Sequence, residues 1–148
     1  MSTRTHIGSF EYPRESRWTV TEGTHDNRLI YVRVNVSAAH LARDPRYRTR
    51  VGIAVPLKAP TPAGLSTTSE SGQLEALEDA LCFSLEAAQT SLHVLTITTA
   101  GMREFVFYTR SASEAQAAIT ALQEQISSHV LQSYVEDDPQ WEVYANFA

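Results

Sequence analysis

The chain has 148 residues, 43% of them hydrophobic and 20% charged, with a formal net charge of −5 and one cysteine. That length suits one domain whose core needs no disulfide or metal to hold it. The acidic total argues against non-specific nucleic-acid binding, the lone cysteine rules out an internal disulfide, and no apolar run approaches the ~20 residues that span a bilayer.

The opening MSTRTHIGSFEYPRES has neither a hydrophobic period nor an apolar signal segment. It predicts a loose arm over 1–16, one α+β domain over 17–148, and a cytoplasmic location. RWTVTE (17–22) and RLIYVRVNV (28–36) are rich in β-branched and aromatic residues and predict two strands, turned at GTHDN. SAAHLARDPRY (37–47) predicts a loop or short helical turn broken at Pro45. In RTRVGIAVPL (48–57), Val51, Ile53 and Val55 share one strand face; Arg48, Arg50, Gly52 and Ala54 share the other.

KAPTPAGLSTTSES (58–71) predicts a long connection, either functional or mobile. The stripe Leu74, Leu77, Leu81, Leu85, Ala88 predicts a helix from about Gln73 to Gln89, with Ser69 or Ser71 as cap. SLHVLTITT (91–99) and REFVFYTR (103–110) predict a hairpin around Ala100-Gly101. Ser111-Ala-Ser-Glu114 is a capping box opening a second helix over about 112–129, and QSYVED (132–137) predicts a last strand.

In the closing DDPQWEVYANFA, Asp138 is a good N-cap and Pro139 a good first helical residue. Trp141, Tyr144 and Phe147 recur at steps of three. A helix so short must dock to exist. The first helix offers a surface, since Phe83 lies opposite its leucine stripe among Ala76, Ala80 and Ala87.

From residue 48 the order is strand, helix, strand, strand, helix, strand. This predicts a ferredoxin-like βαββαβ core with an N-terminal β-hairpin and a short C-terminal helix. Right-handed crossovers put both long helices on one face and leave the other bare. The hairpin either extends an edge or covers part of the bare face. Residues 1–58 carry ten Arg/Lys and five Asp/Glu, whereas 59–148 carry two and twelve. A basic patch could therefore meet an acidic one, within or between chains.

No catalytic, cofactor or metal residues emerge. The five histidines have no ligand spacing, Cys82 flanks the leucine stripe as a packed thiol, and no serine sits in a G-x-S-x-G elbow. Glu78 can reach the sheet edge while Asp79 faces solvent. Arg103, Phe105 and Phe107 match an RNA-stacking motif by type, but Glu104, Val106, Arg110 and Gly52 depart from it, so nucleic acid is not favoured. Arg46, Arg48 and Arg50 beside Gly52 and Ala54 form either a shallow basic groove or partners for the acidic half.

The expected function is a non-catalytic binding or adaptor module that contacts a protein partner or a second copy of itself. Its surfaces would be the first helix around Phe83, the C-terminal segment with Tyr144, and a sheet edge. The alternative is a small-ligand binder or enzyme. Its pocket would lie between the bare sheet face, the 58–71 connection and the C-terminal segment, lined by Arg50, Arg103, Glu104, Tyr108, Asp138 and Trp141. RNA binding stands third.

As a set, Trp18-Thr-Val20, Val51-Gly-Ile53, Glu78-Asp79, Gly101-Met-Arg-Glu-Phe-Val-Phe-Tyr108 and Asp138-Pro-Gln-Trp141 with Tyr144 resemble a bacterial family known as domain of unknown function 695. The likeness runs from about residue 16 onward. It implies a bacterial source and transfers no catalytic residues.

Overall fold

The computed structural model describes residues 11–148. Six strands form one sheet: β1 (Trp18–His25), β2 (Arg28–Asn35), β3 (Thr49–Pro56), β4 (Ser91–Thr99), β5 (Met102–Thr109) and β6 (Gln132–Asp137). A 3-10 helix (Val36–Arg43) and three α-helices accompany them: α1 (Thr68–Glu86), α2 (Ala112–Gln125) and α3 (Glu142–Phe147). Every strand pair is antiparallel, in the order β1-β2-β4-β5-β3-β6.

Two turns fix the registers. Asp26 and Asn27 both take left-handed backbone (φ 52° and 63°), closing His25 against Arg28. Ala100 and Gly101 (φ 52° and 78°) close Thr99 against Met102 in the same way. Such turns match the twist of the strands they join. The hairpin extends an edge: β2 pairs with β4 from Ile30↔Thr99 to Val34↔Leu95. The whole sheet is therefore six strands wide, two more than the four-stranded arrangement expected from residue 48 onward.

Helix ends differ from expectation for local reasons. The Thr67 hydroxyl, not Ser69 or Ser71, caps α1 by accepting from the Glu70 amide at 3.2 Å, so α1 starts at Thr68. The 57–67 connection is held to the β4–β5 turn by Gly101 N–H to Gly64 O (2.9 Å) and Leu57 N–H to Gly101 O (2.9 Å). A Cβ at Gly64 (φ 82°) would come within 3.0 Å of Ala100 and Gly101 backbone. The buried Glu70 carboxylate accepts from the Lys58 and Ala59 amides (2.7 and 3.0 Å) and from His129 Nε2 (2.7 Å). Ser111 caps α2 through the Glu114 amide (3.3 Å), and the backbone leaves the helix at Ile126.

Two apolar cores lie on opposite faces of the sheet. On the first, Val51, Ile53, Val55, Phe105 and Phe107 meet the α1 leucines and Ala115, Ile119 and Leu122 of α2. Both long helices thus share one side. On the second, Val32, Val34, Leu92, Val106 and Tyr108 meet Ala38 and Leu41 of the 3-10 helix and Trp141 and Tyr144. This second face is the one expected to be bare. Fully burying side chains of this size stabilises by about 1.5–3 kcal/mol each, so the second core is a substantial part of the fold. Pairing in β4 shifts between His93 and Leu95, which lets Val94 and Leu95 both enter the second core while His93 and Thr96 remain in hydrogen-bond contact at 2.9 Å.

The C-terminal segment is clamped, but not onto α1. It lies across the sheet from Phe83, which stays 81% exposed. Of the arm expected over 1–16, residues 1–10 lie outside the described residues; 11–16 have no helix or strand, and the Tyr12 hydroxyl donates to Ser91 O at 2.8 Å. No helix among the described residues is long and apolar enough to cross a membrane.

Candidate functional site

Alternation along β5 sends Arg103 to the α1 face, with Phe105 and Phe107, and Glu104 and Tyr108 to the opposite face. The residues expected to share one pocket are therefore divided by the sheet.

On the second face Arg50, Tyr108, Asp138, Trp141 and Tyr144 do meet. Arg50 donates to Asp138 Oδ2 (2.8 Å) and Glu136 Oε2 (2.6 Å), and the Tyr108 hydroxyl donates to Asp138 Oδ2 (2.7 Å). The same carboxylate accepts from the amides of Glu142 (2.9 Å) and Val143 (3.4 Å). Asp138 thus caps α3 from a distance. The chain passes through left-handed Trp141 (φ 53°) before the helix begins at Glu142, rather than at Pro139 as expected. The Trp141 indole N–H donates to Tyr47 O (2.6 Å) and the Tyr144 hydroxyl to Asn35 O (2.7 Å). Burial works against the Asp138 carboxylate, yet the Tyr108 hydroxyl, the Glu142 amide and Arg50 hold its pKa below the ordinary value. Glu104 accepts from the Tyr134 hydroxyl, and the Tyr134 ring lies over Gly52. All these groups are engaged with one another. Together they build a latch for the C-terminal segment.

The opening is on the α1 face. α1 covers only part of that face, and the hairpin carries the sheet beyond it. The result is a groove of about 710 Å³, within the usual range for ligand sites. Val20, Glu22, Tyr31, Arg33, Thr98 and Arg103 form its floor. Glu75, Glu78 and Asp79 of α1 form its wall, and Leu65 and Ser66 close one end. Arg33 is spoken for: its Nη1 donates to both Glu78 oxygens (2.8 and 3.1 Å), and its guanidinium lies 4.7 Å from the Trp18 ring centroid. Arg103 is different. Its Nε donates to Thr98 Oγ1 (2.9 Å) and its Nη2 to Ser66 Oγ (3.1 Å), both neutral oxygens. Burial pulls its pKa down from the ordinary arginine value.

Deeper beneath α1, Cys82 Sγ lies 3.5 Å from His93 Nδ1, while His93 Nε2 meets Leu95 O and Thr96 Oγ1, both at 2.9 Å. The pair has the contact of a nucleophile and a base, but its surroundings oppose ionisation of either group. Burial and nearby Arg33 lower the His93 pKa to about 3, and burial with Glu86 and Glu78 raises the thiol. Both shifts favour the neutral forms and work against a thiolate. His93 stacks on Phe107 at 4.9 Å and is 2% exposed. Phe105 and Phe107 are themselves buried in the first core and cannot stack on bases. No cluster of three or more His, Cys, Asp or Glu suited to a metal occurs among the described residues.

Of the expected site residues only Arg103 lines the groove, and Phe83 stands apart on the outer side of α1. Sequence reasoning missed Arg33, Tyr31, Thr98 and Ser66. The alternation of Tyr31 and Arg33 with Val32 and Val34 was the available signal, because it sets a polar strand face against an apolar one.

Residues 16–148 match the model of a family described as "Family of unknown function (DUF695)". No curated protein and no solved structure matches the chain.

Proposed function

The chain belongs to the family of unknown function DUF695, and from its geometry we propose that it is a non-catalytic binding module that takes an anionic group of its ligand onto Arg103 in the groove. One observation carries this. Arg33, Arg46, Arg48 and Arg50 each have a carboxylate within 3.0 Å, whereas Arg103, half-buried on the groove floor, has only hydroxyls. A cation partly withdrawn from water without a counter-ion is costly, and a ligand carboxylate or phosphate removes that cost. The test is a thermal-shift series with glutarate, succinate and inorganic phosphate on the parent chain and on Arg103→Gln. A rise in Tm that the variant loses supports the reading. Equal shifts in both proteins, or none in either, overturn it.

A second reading, contact with a protein partner or a second copy, is favoured by Phe83 at 81% exposure and by β1, whose outer edge pairs with no described strand. We also read β3 to β6 as a ferredoxin-like core widened by the hairpin. The partial order β4-β5-β3-β6, with α1 and α2 on one face, supports this. A cytoplasmic location accords with the lone free Cys82.

A further inference from the structure

The groove holds more than one charged feature. Arg33 and Glu78 cancel as a pair. Arg103 then remains on the floor of a groove whose lining also holds Glu22 from β1 and Glu75 and Asp79 from α1. Glu75 and Asp79 are four apart on one helix and stand on the same face. Among the described residues, none of these three carboxylates has a lysine, arginine or histidine within ion-pair distance. A plain anion drawn to Arg103 would enter past three like charges, and a plain cation drawn to the rim would meet Arg103 beneath it. Val20, Leu65 and the Tyr31 ring also line the groove and offer apolar surface.

Resting on the proposed role of Arg103, we infer that the groove selects a small amphoteric molecule with the charge layout of a basic amino acid. Its carboxylate meets the Arg103 guanidinium, its aliphatic stem lies against the apolar part of the lining, and its cationic end reaches Glu75 and Asp79. The recognition needs both poles at once. Arg103 supplies directed donors for a carboxylate, and the rim supplies negative field without a rigid fork, which suits an ammonium or guanidinium.

Isothermal titration of the whole chain tests this with three probes: L-arginine, L-argininamide, which lacks the carboxylate, and glutarate, which lacks the cation. The expected result is L-arginine binding at least about tenfold tighter than either of the others. Arg103→Gln should abolish the difference between L-arginine and L-argininamide. Glu75→Gln/Asp79→Asn should weaken L-arginine about tenfold while leaving glutarate unchanged or tighter. Both rim residues are on a solvent-facing helix side, so the double variant folds as the parent does. If glutarate binds as tightly as L-arginine and the rim variant changes nothing, the amphoteric assignment fails while the role of Arg103 stands. If no probe binds, or if Arg103→Gln binds all three like the parent, both fail together.

Discussion

The Trp141 indole lies flat on the Tyr108 phenol, with ring centroids 4.1 Å apart and planes 8° apart. One ring comes from a sheet strand and the other from the segment that precedes α3, so this stack joins the C-terminal segment to the sheet. Tyr108 also donates to Asp138, which caps α3. Stack, hydrogen bond and cap therefore act as one unit.

Trp141→Ala should cost about 3–5 kcal/mol, because it removes a side chain 1% exposed in the second core together with its bond to Tyr47 O. Asp138→Ala should cost about 3–5 kcal/mol, since it leaves the Arg50 guanidinium in a largely buried site with one partner fewer. Urea unfolding monitored by far-UV circular dichroism checks both. A loss below about 1 kcal/mol in either variant would mean that the segment is only loosely attached.

Stability should fall as the solution is acidified, and His93 sets the first part of that fall. Its folded pKa is about 3, below the ~6.5 of an unfolded histidine. The unfolded chain then binds a proton that the native state refuses. The His93 contribution is complete above about pH 6.5 and declines by up to about 1.4 kcal/mol per unit toward pH 3. Asp138, whose folded pKa is also depressed, adds its loss only below the ordinary carboxylate range, as pH drops through its folded value. Urea midpoints of the parent and His93→Phe between about pH 6.5 and 4.5 separate the two groups. The parent should slope and the variant should run flatter; identical slopes would remove His93 from the account.

Gly52→Ala should destabilise by about 1–3 kcal/mol, because its Cβ would fall 2.0 Å from the Tyr134 ring. The ring must swing off its seat, abandoning Glu104 and the Arg50 guanidinium 5.6 Å from its centroid. Adding Tyr134→Ala to Gly52→Ala should then cost less than Tyr134→Ala does in the parent. Additive losses in chemical denaturation would contradict this.

Phe83→Ala should change stability by no more than about 0.5 kcal/mol, since the ring is 81% exposed. Mass in solution at high concentration is the informative reading for this variant. A parent heavier than the variant supports contact through α1, and equal monomeric masses count against it.

What could be read from the chain depended on whether one face or two were buried. β4 and β6 fall at 91–99 and 132–137, where composition and punctuation placed them, and the four leucines of the stripe in α1 were plain from spacing, while Ala88 falls beyond the helix end. The second core was harder to see. Its contributors, such as Val32, Val106 and Trp141, come from distant parts of the chain, and no local period marks a face covered by a 3-10 helix and a six-residue α-helix. The run Leu92-His93-Val94-Leu95 carried a hint, because it breaks alternation where the bulge lies. The start of α1 was legible as Thr67-Thr-Ser-Glu70, but its hydroxyl-rich first turn resembles a loop. Nothing in the sequence could show that α1 sits to one side and leaves Arg103 uncovered, since that depends on how the hairpin widens the sheet.

The clusters above and below the sheet have no side chain in common. A defect beneath α1 reaches the C-terminal latch chiefly through the strands between them, with Tyr47, bonded to Gln89 O beyond the end of α1, as a link at the sheet end. The molecule consequently behaves as two stacked reserves of cohesion on one shared partition, and lesions placed one per side, at Leu81 and Trp141, should simply sum.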